Sequence, residues 1–179
     1  MTGLATVSPV LSSKPVSPAA PGSGAALTKA ARARPGASTM IGVQAGGQYW
    51  LVDLADARFA QVPPLAGVPL TRSWFRGLAA AEGSLLGVVD LSAFTGGALT
   101  PVTHESRLLH LPDFSTQTAL LVGSVVGERK MSELMGAPNV PDPDCTWAGA
   151  RLRDARGRVW QVLSLRALFA HPDFQDIGA

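Results

Sequence analysis

The sequence contains only one cysteine, Cys145, which excludes a framework of internal disulfides and fits a reducing compartment. It has no run of about 18 apolar residues, so we expect no transmembrane helix. The N-terminus lacks a charged stretch followed by an apolar stretch, and no secretory signal is predicted. These features predict a cytoplasmic protein without direct membrane insertion.

Acidic residues are missing from the first part of the chain. Residues 1–38 hold four cations and no acid, in a stretch dominated by Ala, Pro, Ser and Gly. Such a segment cannot bury enough apolar surface to offset its ordering entropy, so we predict a disordered tail. Residues 39–179, predicted to form the folded domain, hold 11 basic and 13 acidic residues, which does not favour nucleic-acid binding.

Patterns that carry chemistry are also scarce. There is no GxGxxG or GxxxxGK[ST] motif, and the three histidines and the cysteine do not show zinc spacing. His104 and Ser106 would share one face of a strand, but no acid lies behind the histidine. We therefore predict no catalytic residue, no metal and no cofactor. An enzyme centred on His104, Cys145 or the PDPD loop (residues 141–144) is the less favoured alternative.

Short apolar segments separated by Gly and Pro turns make up most of residues 39–179. About eight to ten such segments, with little helix, predict an all-β barrel or sandwich. SAFTG, after Leu91, predicts one helical turn, and LRALFAH predicts a short C-terminal helix. The segments predicted as strands or hairpins are residues 40–54, 57–62, 74–91, 104–111, 118–127 and 146–165, of which 118–127 is predicted to be one continuous buried strand.

The segment FRGLAAAEGSLLGVVDL, residues 75–91, resembles the hallmark of the CheW family of chemotaxis adaptors. Its Phe-Arg-Gly start, its turn glycine Gly83, its apolar strand and its closing Asp90-Leu91 follow the family pattern. Upstream GGQYWLVDL, downstream TALLVGSVVGERK and the final TWAGARLRDARGRVWQVLSLRALF are similar to other family strands and the last helix. Trp74 and the HPDF near the C-terminus are most similar to PilI-type members, which serve type IV pilus (twitching) pathways.

The resemblance implies a fold of two packed five-stranded SH3-like barrels and a non-catalytic function. Adaptors of this family couple the cytoplasmic tip of a methyl-accepting chemoreceptor to a CheA-type histidine kinase. It also implies structural roles for Gly77, Asp90 and Leu91.

Two departures from the family pattern fall on the region where the receptor docks. The turn arginine of the family is Glu82 here, and a glutamate of the preceding strand is Arg58. The two residues either pair across neighbouring strands in inverted order or belong to a partner surface of changed sign. The resemblance thus implies Arg58, Glu82 and Gly83 as receptor-binding residues.

A small-barrel module for single-stranded nucleic acid is the second functional alternative. Such modules need stacking aromatics interleaved with cations, and Trp50 and Trp74 lie near Arg72 and Arg76.

Overall fold

The computed structural model describes residues 28–29, 39–53, 57–81, 83–110, 117–140 and 142–179. The predicted disorder of residues 1–38 lies outside the described residues, except for one two-residue strand at Thr28–Lys29. The strands are β1 (Thr28–Lys29), β2 (Thr39–Ala45), β3 (Gln48–Asp53), β4 (Arg58–Gln61), β5 (Leu65–Ala66), β6 (Phe75–Ala81), β7 (Ser84–Asp90), β8 (Arg107–His110), β9 (Thr118–Val122), β10 (Ser124–Lys130), β11 (Met135–Gly136), β12 (Ala148–Arg153) and β13 (Val159–Leu163). The helices are α1 (Leu91–Phe94), α2 (Leu165–Ala170) and α3 (Pro172–Gln175), with a 3₁₀ turn at Met131–Glu133.

The strands form two mixed sheets. The first sheet has the order β1-β4-β8-β9-β7-β6-β5, and the second has the order β10-β2-β3-β13-β12-β11. Without the two-residue strands β1, β5 and β11, each sheet holds five strands. The predicted all-β class and the division into two five-stranded units are confirmed.

Each sheet contains one parallel pair among antiparallel neighbours. In the first sheet β7 runs parallel to β9, and in the second β13 runs parallel to β3. Apart from the two-residue β1, the first sheet takes β4 to β9 from the middle of the chain, whereas the second combines β2 and β3 with β10 to β13. The first unit is therefore inserted into the second.

The largest hydrophobic cluster includes residues from both sheets and from the C-terminal helices. Val43, Trp50 and Val52 of the second sheet meet Leu109 and Leu120 of the first in this cluster. Each sheet also has a smaller cluster of its own, around Leu86 and Leu121 in the first sheet and around Trp160 in the second. Burial of these apolar side chains is the main term that stabilises the fold.

A cluster of aromatic rings joins the C-terminal helices to α1 and to the residues that precede β6 and β12. The Phe94 ring lies 5.3 Å from Trp74, 5.1 Å from Trp147 and 5.2 Å from Phe174 between centroids. Trp147 and Phe174 are buried, and Trp74 is half-buried. These rings thus serve as core.

Two predicted strands are wrong in extent. Residues 118–127 form two strands, because the chain passes from the first sheet to the second at Gly123, whose N–H donates to the Gln44 carbonyl at 2.8 Å. The strand predicted at 104–111 begins only at Arg107, since His104 and Glu105 lie in a turn.

The C-terminal helix prediction is confirmed for α2, and the hairpin predicted around DARG is confirmed as β12 and β13. Helix α3 was not predicted, although Pro172 at its start and Asp173 in its first turn are ordinary start signals.

Candidate partner-binding site

The hairpin of β6 and β7 carries the segment that pointed to an adaptor, and Asp90 closes it. The Asp90 side chain is fully buried and forms the N-cap of α1. Its Oδ1 accepts from the Ser92 and Ala93 backbone N–H at 3.1 and 3.3 Å and from the Thr100 hydroxyl at 2.7 Å. Its Oδ2 accepts from the Thr100 N–H at 2.7 Å. One carboxylate therefore fixes the helix start and the loop that returns beside it.

Arg76 completes this polar cluster from the neighbouring strand. Its Nη1 lies 2.9 Å from Asp90 Oδ2 and donates to the Thr100 carbonyl at 2.8 Å. The Arg76 side chain is about one-fifth exposed, so the ion pair sits at the edge of the interior. Because the carboxylate is paired and fully hydrogen-bonded, its burial is compensated.

Gly77 allows the backbone of β6 to approach β5 closely. The backbone of Gly77 has φ +108°, and the register with β7 shifts between Phe75 and Gly77, which marks a β-bulge. A Cβ at this position would lie 2.1 Å from the carbonyl oxygen of Ala66. Only glycine fits there. Leu91, the next residue of the motif after Asp90, is fully buried.

Two of the three predicted receptor-binding residues, Arg58 and Gly83, lie at exposed points of the first sheet. Arg58 is exposed at the start of β4, and Gly83 is exposed in the β6–β7 turn with φ +76°. Glu82 lies outside the described residues. In the sheet order, β8, β9 and β7 separate β4 from β6, so Arg58 and the turn do not belong to neighbouring strands. The pairing of Arg58 with Glu82 stays a prediction, because Glu82 lies outside the described residues.

An apolar groove lies between this hairpin and the C-terminal helices. Its volume is about 670 Å³, and it is lined on the hairpin side by Phe75, Leu78 and Leu85 and on the helix side by Phe169 and Ile177. Leu85 is 59% exposed and Ile177 is 39% exposed, so apolar surface remains open to solvent. Exposed apolar surface of this kind typically marks an interaction site.

Gly87 of β7 also lines the groove. A Cβ there would lie 3.2 Å from Cε2 of Phe75. The lack of a side chain at Gly87 thus leaves room for the Phe75 ring. The sequence alone did not show the groove, because its two walls come from segments about 90 residues apart.

The residues considered for catalysis are not brought together. His104 is exposed, whereas Ser106 is buried and its hydroxyl donates to the Pro101 carbonyl at 2.8 Å. Burial, with Asp142 beside it, raises the pKa of the Cys145 thiol, which keeps it a weak nucleophile. His110 faces Arg58 across the β4–β8 ladder.

Within the described ranges, no group of three or more His, Cys, Asp or Glu side chains could hold a metal ion. None of the helices there has the length and apolarity needed to cross a bilayer.

The aromatics on which the nucleic-acid alternative depended are packed inside. Trp50 is 3% exposed, and Trp74 packs edge-on against Phe94 and parallel to Phe174. Burial leaves Trp50 no free face for a stacked base, and one face of the Trp74 ring is already turned to Phe174.

Comparison with known proteins agrees with this architecture. Residues 39–173 match the family described as CheW-like domain. Protein PilI of Pseudomonas aeruginosa is 25% identical over 143 residues, which covers 77% of this chain and 79% of that protein. The crystal structure of the scaffolding protein TtCheW from Thermoanaerobacter tengcongensis superposes with a TM-score of 0.63 at 13% sequence identity, covering 79% of this chain and 97% of that chain.

Proposed function

Since this chain belongs to the CheW-like domain family, we propose that it is a non-catalytic adaptor that couples a chemoreceptor to a CheA-type histidine kinase. The pathway is a chemotaxis or type IV pilus signalling pathway, as the likeness to PilI suggests. The observation that carries the proposal is the family match, which extends over both sheets from residue 39 to residue 173.

The surface of the first sheet supports this function. An adaptor needs surfaces that bind without reacting, and the groove beside the β6–β7 hairpin offers open apolar area beside exposed backbone. The motif residues Gly77, Asp90 and Leu91 hold the hairpin in place and do not reach a partner themselves. Arg58 and Glu82 are the residues at which this chain departs from the family pattern, and we place the receptor contact at these two residues and Gly83.

The test is a reconstituted coupling assay with the full chain, the CheA-type kinase and the chemoreceptor from the same genome. We expect receptor-stimulated autophosphorylation of the kinase only when the chain is present. Direct binding of the kinase without any binding of the receptor would remove the coupling function. Binding of neither protein would overturn the proposal.

Glu82→Arg, which restores the residue usual in the family, tests the receptor face. We expect a change in receptor affinity of at least about threefold, or about 0.7 kcal/mol, with kinase affinity unchanged. Glu105→Arg reverses a charge in an exposed turn and is the matched control. If Glu82→Arg instead lowers the melting temperature sharply, Glu82 is structural and the assignment of the surface fails.

A further inference from the structure

Three arginines converge near Trp160 at one end of the second sheet. Arg129 lies on β10, Arg158 directly precedes β13, and Arg156 lies in the turn between β12 and β13. They line a cleft of about 240 Å³ together with Glu133 and Asp154. We call this the arginine cleft. It lies on the second sheet, whereas the motif hairpin and its groove belong to the first.

Aromatic rings hold two of these arginines in position. The guanidinium carbon of Arg158 lies 4.4 Å from the Tyr49 ring centroid and 5.6 Å from that of Trp160. The guanidinium carbon of Arg129 lies 5.0 Å from the Trp160 ring centroid, and its Nη1 donates to the Glu128 carbonyl at 2.7 Å. Stacking uses the flat face of a guanidinium and leaves its N–H edge for an anion.

The two acids that line the cleft already have partners. Asp154 accepts hydrogen bonds from the Trp160 indole at 3.0 Å and from the backbone N–H groups of Arg156 and Arg158 at 3.0 and 2.9 Å. Glu133 lies 3.9 Å from the ammonium of Lys130. In the part of the chain that the structure describes, the three guanidiniums form no ion pair within 4.0 Å. The guanidinium of Arg158 still interacts electrostatically with Asp154, so its charge is only partly compensated.

A second cleft extends the basic surface along β10. It has a volume of about 430 Å³, and its lining includes Arg107, Arg158, the acid Glu105 and the β10 residues Ser124 to Val126. Arg158 therefore belongs to both clefts, and β10 borders both. β10 is also the last strand of its sheet, so its outer edge has no strand partner among the described residues. An open edge of this kind can accept an added strand.

We infer that the arginine cleft binds the carboxylates of an acidic, extended segment of a protein partner laid along β10. Guanidinium groups match carboxylates in charge and geometry, and the open edge supplies backbone groups for an extended chain. A nucleic acid fits less well, because Trp160 is fully buried and Arg158 covers the Tyr49 ring, which leaves no face for a base. This surface is separate from the proposed receptor face and does not depend on the coupling function.

The experiment is an NMR titration of the ¹⁵N-labelled full chain with a capped hexaglutamate peptide at low salt. The Trp160 indole N–H is the reporter, since it lies between Asp154 and the two stacked arginines. We expect saturable shifts of this signal and of the β10 amides. Absence of shifts at either place would overturn the inference.

Two double variants that remove the same charge distinguish specific binding of hexaglutamate at the arginine cleft from unspecific attraction to a basic protein. Arg129→Gln with Arg158→Gln should weaken hexaglutamate binding at least about tenfold, the loss of one charge-assisted hydrogen bond or more. Arg151→Gln with Arg153→Gln removes the same charge from β12, outside the arginine cleft, and should change affinity less than about twofold. Equal losses in both variants would show unspecific attraction and overturn the site.

Two further measurements cover the remaining outcomes. A six-nucleotide thymidine strand should bind more weakly than hexaglutamate, and equal or tighter binding would overturn the choice of a protein partner.

If the double glutamine variant does not fold, Arg158→Lys keeps the charge but loses the forked donor geometry. It should still weaken binding about threefold or more, and unchanged affinity would count against the cleft.

Discussion

Asp90 is the residue on which the motif hairpin depends most. Its carboxylate joins β7, the start of α1 and the loop at Thr100, and it pairs with Arg76. Removing it would leave a partly buried guanidinium and several backbone N–H groups without their acceptor.

We therefore expect Asp90→Ala to lower the free energy of unfolding by about 3 kcal/mol in a urea titration, near the low end for a buried pair because Arg76 is partly exposed. Asp176→Ala, which breaks the exposed pair with Arg72, is the control and should cost less than about 1 kcal/mol. Equal stability of the two variants would contradict the role given to Asp90.

Gly77 and Gly83 allow a comparison of two glycines with positive φ. An alanine Cβ at Gly77 meets the Ala66 carbonyl, whereas at Gly83 it meets nothing within 4 Å. We expect Gly77→Ala to destabilise the protein by about 3 kcal/mol or more, from strain and overlap together. Gly83→Ala should cost only about 1–2 kcal/mol, from strain alone. Thermal unfolding of both variants checks this, and a larger loss for Gly83→Ala would refute it.

Asp154 makes the free energy of unfolding depend on pH. Burial acts to raise its pKa, but the Trp160 indole, the N–H groups of Arg158 and Arg156 and the charge of Arg158 lower the pKa below its ordinary value. A lowered folded-state pKa gives stability that is complete above the unfolded value, about 3.9, and is lost as the pH falls through the folded value.

We expect urea unfolding to show wild type more stable than Asp154→Asn at pH 7, with the difference shrinking as the pH falls below about 4. Since the Trp160 indole keeps an oxygen acceptor in the asparagine variant, a difference that does not change with pH would mean that the charge of Asp154 contributes nothing.

At the scale of elements, β1 shows that one piece of the basic tail pairs with the first sheet. Thr28 lies opposite Phe59 and Lys29 opposite Arg58 in the β1–β4 ladder. Deleting residues 1–38 exposes the outer edge of β4, and among the described residues it removes a two-residue strand. We expect the melting temperature to fall by no more than about 4 °C, the effect of about 1 kcal/mol in a domain of this size. Amide exchange in residues 58–61 should become faster.

Two results of the same deletion would contradict this expectation. Unchanged exchange at residues 58–61 would show that the β1–β4 pairing is not formed in solution. Loss of folding would show that the tail belongs to the domain. A chain that begins at residue 30 should behave as the longer deletion does, since it also lacks β1.

Elements with strong local signals were predictable. The hairpin of β2 and β3 has an apolar run on each side of Gly46 and Gly47, both with positive φ, and the DARG turn ends at Gly157 with φ +79°. The break at Gly123 was not predictable, because the apolar residues on both sides look alike although they enter different sheets. Only the tertiary arrangement separates β9 from β10.

At the scale of the whole molecule, a charge count does not show where the charges lie. The slightly acidic composition of residues 39–179 does not favour nucleic-acid binding, but it does not reveal that Arg129 and Arg158 both lie near the Trp160 ring. They are far apart in the sequence, and no spacing rule joins them.

The Asp90 cluster was partly predictable, since the family pattern marked Asp90, but its partners Arg76 and Thr100 follow only from the folded chain.

The insertion of the first unit into the second has a consequence for synthesis on the ribosome. β2 and β3 leave the ribosome early, but their partners β10 and β13 are made last. Until then, Leu51 lacks the Trp160 side chain, with which it forms the cluster of the second sheet. The inserted strands β4 to β9 are complete much sooner and can form their sheet first. We therefore expect the hairpin of β2 and β3 to lack its neighbouring strands, and to be accessible to a chaperone, until β10 and β13 have been made.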